Sequence, residues 1–171
     1  MSFNQNAVAT PAGRSALTGT HVIAPARFRD LRHVAQLQTR AFRPPLAYGF
    51  ATLLLLWVLP HVRFLIFTQQ DLIVGCAIGD TKGGQSRVIN ICVDPAFRRR
   101  GIAGRLLQCL EAGLPTGDMV LMVEAGNTGA QALYRQQGYL PVGVSRDYYG
   151  RGLDGIWMQK QRTNSIPKIR V

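Results

Sequence analysis

Apolar residues follow two spacings along this chain. Short β-branched runs alternate with segments in which they recur every three or four positions, and the order of the two predicts the elements. Val22-Ile23-Ala24 reads as a short strand. Phe28, Leu31, Val34, Ala35 and Phe42 then keep helical spacing up to Arg43-Pro44-Pro45, where proline lacks the N–H a helix needs. Residues 51–59 are almost wholly apolar and end at Pro60. They fall well short of the ~20 apolar residues that cross a bilayer, so a buried helix is expected, with interfacial attachment to a membrane as the alternative. Strands at 63–67 and 72–78 flank a turn at Gln69-Gln70-Asp71, and the polar loop Lys82-Gly83-Gly84-Gln85 leads to a β-branched run at 88–93 that stops at Asp94-Pro95. Ile102, Leu106, Cys109 and Leu110 mark a helix ending near Gly113, followed by a strand at 119–123. Asn127 is placed to cap a helix carrying Ala130, Leu133 and Tyr134, with Gly138 as its stop. Strands at 140–144 and 156–160 complete the order β-α-α-β-β-β-α-β-α-β-β, an α/β domain with a mixed sheet. The domain is expected at 21–160, between a flexible leader at 1–20 and a basic tail at 161–171.

Composition narrows the class. With 171 residues, 47% apolar and 17% charged, the chain suits one domain with an adequate core. Twenty basic residues against nine acidic ones give +11, which favours a polyanionic partner such as CoA, ribosomal RNA, an acidic peptide or an anionic membrane. The arginines are spread over several elements without an aromatic-rich RNA signature, which disfavours sequence-specific nucleic-acid recognition. Cys76, Cys92 and Cys109 lie in apolar segments and lack C-x-x-C spacing, so buried reduced thiols, no metal site and a cytoplasmic setting are expected. The first twenty residues hold no apolar run of the kind a secretory signal carries.

The most informative stretch is Arg98-Arg99-Arg100-Gly101-Ile102-Ala103-Gly104-Arg105, between a strand and a helix. N–H groups at the start of that helix converge on any anion held there. Glycine allows close approach, the helix dipole favours negative charge, and each charge-assisted bond contributes roughly 1.5–3 kcal/mol. A Walker A lysine and a G-x-G-x-x-G fingerprint are both missing, so nucleotide hydrolysis and a Rossmann site lose support.

The spacing R-x-x-G-x-A at Arg98, Gly101 and Ala103 resembles the pyrophosphate-binding motif of the GNAT acetyltransferase superfamily. A second stretch, Asn127, Ala130, Leu133 and Tyr134 followed by Gly138-Tyr139, resembles the helix that closes over the pantetheine and thioester in that superfamily. The resemblance covers about residues 22–160. It implies a GNAT-type mixed central β-sheet flanked by helices and acetyl-CoA as cosubstrate. The implied cofactor-binding residues are Arg98, Arg99, Arg100, Gly101, Ala103, Gly104 and Arg105, with Asn127 and the strand residues Ile91, Cys92 and Val93. A backbone N–H of that strand would polarise the thioester carbonyl, and Tyr134 would protonate the departing thiolate.

Arg146-Asp147-Tyr148-Tyr149, with Gly152, Asp154 and Met158, resembles the substrate-side hairpin of protein N-terminal acetyltransferases, especially the bacterial group acting on a ribosomal protein's N-terminal alanine. The resemblance implies that Tyr148 and Tyr149 bind the first residues of a peptide. In that group a glutamate taken as general base stands where this chain has Met122, which cannot accept a proton. Strand alternation puts Glu124 on the same face, about 6.6–7 Å along, where it can act through water. A free α-amine costs about 1.4 kcal/mol to deprotonate at pH 7 and a lysine about 4.6, so a weakened base suits an N-terminal acceptor. Direct acetyl transfer to a protein or peptide N-terminus is the expected function. A lysine or small-amine acetyltransferase and a non-catalytic acyl-CoA-binding or ribosome-associated module stay open.

Overall fold

The structure is a computed structural model that describes residues 20–114 and 117–162. Its strands are β1 (His21–Pro25), β2 (Val62–Gln69), β3 (Leu72–Lys82), β4 (Gln85–Val93), β5 (Met119–Glu124), β6 (Leu140–Ser145) and β7 (Gly155–Lys160). The helices are α1 (Leu31–Ala41), α2 (Phe50–Val58), α3 (Ile102–Gly113) and α4 (Thr128–Gln136). This is the expected order. The expected leader, apart from Thr20, and the tail beyond Arg162 lie outside the described residues.

One seven-stranded sheet runs β1-β2-β3-β4-β5-β7-β6. Every neighbouring pair is antiparallel except β4 and β5. Those two pair in parallel only where Ser86, Arg87 and Val88 meet Met119, Val120 and Leu121. Past Val88 and Leu121 they diverge, while β5 keeps its full register with β7 and β4 keeps pairing with β3. The sheet therefore opens in the middle, and the last half of β4 has a free edge facing the gap.

Strand alternation divides the core in two. On β2, Leu65 and Phe67 pack with Leu106, Leu107 and Leu110 of α3 and with Tyr134 of α4. Phe64 and Ile66 turn the other way, towards Leu31, Val34 and Leu37 of α1 and Leu53 of α2. Gly83 and Gly84, at φ +61 and +78, compress the expected polar loop into a tight hairpin turn that lets β3 and β4 run longer than their apolar cores.

Three expectations need correction. The apolar segment at 51–59 is not a buried helix: within α2 only Leu53 is buried. The helix touches α1 and β2 along one stripe, and a segment whose one polar residue is Thr52 carries little signal of which stripe that is. Cys109 is exposed, because Leu107 rather than Cys109 completes the buried stripe with Ile102, Leu106 and Leu110. Arg162, assigned to the tail, is bound into the body of the fold. Its guanidinium donates to the carbonyls of Glu111, Leu114 and Gly117 at 2.9, 2.8 and 2.8 Å, which ties down the end of α3.

Candidate active site

A cleft of ≈ 2190 Å³ opens between the diverging ends of β4 and β5, and all fifteen expected site residues line it. One side is main chain. Asp94 accepts from Ala96 N–H at 3.0 Å and starts a single 3-10 turn, after which the chain reaches Arg99 at φ +65 and Gly101 at φ +78. A Cβ on Gly101 would meet nothing within 4 Å, so its left-handed backbone, not crowding, demands glycine there. Gly101 caps α3 and accepts the Arg105 N–H at 3.1 Å, which leaves the first-turn N–H groups of Ile102, Ala103 and Gly104 without helical acceptors. Such free N–H groups at a helix start form a backbone seat able to hold an anion.

The arginines divide differently from the expectation. The Arg98 guanidinium is held by main chain: Nε donates to the Val93 carbonyl at 3.2 Å and Nη2 to the Ala41 carbonyl at 3.0 Å. It clamps the end of β4 to the end of α1 while lining the cleft. Arg100 lies over the Phe97 ring at 5.0 Å and donates to the Ala96 carbonyl at 3.2 Å. Arg99 remains exposed beside the seat, and Arg105 meets the His21 imidazole.

Behind the seat, Asn127 accepts the Ala130 N–H at 3.0 Å and starts α4, as its sequence position predicts. One turn further on, Tyr134 is 6% exposed, its ring set edge-on to Tyr139 at 5.8 Å. Its hydroxyl has no hydrogen-bond partner among the described residues. Burial first, then the neighbouring Tyr149, pushes its pKa well above the usual tyrosine value, so the phenol keeps its proton at neutral pH. Cys92 also lines the cleft, but its thiol is held protonated by the bond with Cys76, 3.4 Å away, and by burial. Such a thiol is a poor nucleophile.

The other side of the cleft is made of side chains. Met122 and Glu124 share one half-buried face of β5, with Leu121 and Val123 buried behind them. The Met122 thioether packs on Gly155, where a Cβ would come within 2.5 Å of the sulfur. Arg43, in the connection between α1 and α2, donates to Glu124 at 2.8 Å. Tyr149 donates to the Met122 carbonyl at 3.0 Å, and burial, followed by the charges of Tyr148, Tyr48 and Glu124, pushes its pKa up to about 12. Tyr148 stands against Tyr149 and Trp157, at ring distances of 4.9 and 6.4 Å.

Arg43, Tyr48 and Trp157 are among the lining residues that the sequence did not point to. Arg43 was read only as part of a helix stop, and nothing local ties it to a carboxylate 81 positions away.

The chain matches the model of the acetyltransferase (GNAT) domain over residues 60–141. It is 32% identical over 141 residues to N-alpha-acetyltransferase RimI of Mycobacterium tuberculosis, covering 77% of this chain and 86% of that one. It is 36% identical over 90 residues to the ribosomal protein bS18-alanine N-acetyltransferase of Haemophilus ducreyi, covering 50% of this chain and 61% of that protein, somewhat under two thirds of its length. The crystal structure of the ribosomal-protein-S18-alanine N-acetyltransferase from Escherichia coli superposes with a TM-score of 0.79 at 23% identity, over 89% of this chain and 100% of that one. The chain belongs to the GNAT family of N-acetyltransferases.

Proposed function

We propose that the protein transfers the acetyl group of acetyl-CoA directly to the α-amine of a protein or peptide N-terminus. The observation that carries this is a buried, proton-holding Tyr134 opening on the same gap as a backbone anion seat and an aromatic wall. The seat at Arg99 to Gly104 would take the pyrophosphate, and the free edge of β4 at Ile91, Cys92 and Val93 would align the pantetheine and polarise the carbonyl.

The amine nitrogen forms its bond to the carbonyl carbon as the C–S bond breaks. Tyr134 gives a proton to the sulfur, and the amine loses one to solvent. Glu124, held by Arg43, would receive that proton through water. Tyr48, Tyr148 and Tyr149 would hold the first peptide residues. A peptide beginning with alanine is the first candidate acceptor, after the relatives named for that activity. The free thiols of Cys76 and Cys92 suit the reducing cytoplasm, where such acceptors emerge on ribosomes.

Matched peptides test this reading, one with a free terminus and one blocked but carrying lysine, with acetylated product measured by mass spectrometry. Faster modification of the free terminus is expected. Preference for the blocked lysine peptide would assign a side-chain acetyltransferase instead. Tight acetyl-CoA binding with no turnover on any amine would leave a binding module.

A further inference from the structure

The α2 helix has two unlike faces. Leu56 and Leu59 turn towards the cleft, whereas Leu55 and Val58 point outward and are 59% and 56% exposed. The indole of Trp57 donates to the Ala26 carbonyl at 2.8 Å, which fixes the roll of the helix and keeps Leu55 and Val58 from turning inward. Phe28 extends the apolar surface. It is 56% exposed in the 3-10 turn before α1, with its ring 6.4 Å from Phe50 and 6.0 Å from Trp57. None of Phe28, Leu55 and Val58 lines the cleft, so the site already described does not account for them.

Three arginines, Arg27, Arg29 and Arg32, stand beside Phe28 in the chain with Asp30 among them, whereas Arg40 and Arg43 are paired with Asp94 and Glu124. Arg27, Arg29 and Arg32, next to Phe28, are exposed. The Asp30 carboxylate accepts the Arg27 N–H at 2.8 Å and lies 3.9 Å from the exposed Arg29 guanidinium. A nucleic acid would use the arginines but leave the bare leucine face in water. A helix of leucine, phenylalanine and tryptophan rimmed by arginine fits a surface that is apolar inside and anionic outside. No helix among the described residues is long and apolar enough to cross a membrane, so such an encounter is peripheral.

We propose that α2 and the turn carrying Phe28 dock on an anionic phospholipid bilayer. Phe28, Leu55 and Val58 enter the boundary between headgroups and acyl chains, and Arg27, Arg29 and Arg32 meet the lipid phosphates. The surface is separate from the acetyl-transfer reading and stands or falls without it.

The test is co-sedimentation of the full chain with vesicles of phosphatidylglycerol and phosphatidylcholine, and with vesicles of phosphatidylcholine alone, at low and high salt. Binding is expected on the anionic vesicles, weaker at high salt. Leu55→Glu should lower the partition coefficient about tenfold or more, by placing a charge where an apolar side chain was buried. Arg29→Glu with Arg32→Glu should abolish the preference for anionic lipid. Both variants lie on exposed positions, and an unchanged thermal unfolding midpoint would show that each is folded. Absent vesicle binding, equal binding to neutral vesicles, or binding that Leu55→Glu leaves intact would each overturn the proposal. Self-association without vesicle binding, dissolved by Leu55→Glu, would give this face to a second copy of the chain and also overturn it.

Discussion

The two sides of the cleft are built from different material. The side made by β4, the Gly101 turn and α3 is a continuous stretch of main chain whose donors and conformation follow from residues near one another in sequence. The opposite side joins Arg43, Glu124 and the Tyr148–Tyr149 pair, which reach one another only through the packing of the sheet against α1 and α2. Under the proposed function, the first would take the invariant pyrophosphate of the cosubstrate. The second is assembled from side chains, which can change one at a time without disturbing the seat.

Breaking the chemistry between the two sides should have the largest effect. Tyr134→Phe keeps the ring packed against Tyr139 and removes only the proton donor. Single-turnover acetyl transfer should fall about 10²–10⁴-fold, while acetyl-CoA affinity measured by calorimetry stays nearly unchanged. An unchanged rate would remove Tyr134 from the chemistry.

The next largest effect belongs to the main-chain side. Gly101→Val forces a β-branched residue to φ +78, at a strain of about 1–3 kcal/mol, although nothing crowds the new side chain. The turn should relax out of shape, and acetyl-CoA binding should weaken by roughly 5- to 150-fold with little change in peptide KM. Intact affinity would show that the seat does not depend on this backbone conformation.

The side-chain half should answer more gently. Arg43→Ala breaks a partly exposed ion pair of the kind that contributes about 0–1 kcal/mol, so peptide KM should rise by up to about fivefold while acetyl-CoA affinity holds. A loss confined to acetyl-CoA binding would contradict the division of the cleft.

The smallest effect is one of pH. Tyr134 and Tyr149 both have folded pKa values above the ordinary tyrosine value, mainly through burial. The folded chain therefore holds protons that the unfolded chain releases. Stability from this source is complete below about pH 10 and declines as pH rises towards 12. Thermal unfolding between those values should show a falling Tm, and Tyr149→Phe should flatten the fall. A Tm independent of pH in that range would contradict the burial of these phenols.

Spacing alone determined a large part of this protein. The element order, the strand that ends in an anion-binding turn, the Asn127 cap and the shared face of Met122 and Glu124 follow from periods of 2 and 3.6 residues and from glycine, proline and capping chemistry, all of which act within a few positions. Tertiary structure decided the divergence of β4 from β5, the bonds of the Arg98 guanidinium to the Val93 and Ala41 carbonyls, the Arg43–Glu124 pair, the exposure of Cys109 and the open outer face of α2. Each depends on which partner a side chain or strand edge finds across the fold. A chain pattern says that a residue is apolar or charged, but only packing, which balances burial against the reach of distant neighbours, decides what that residue meets.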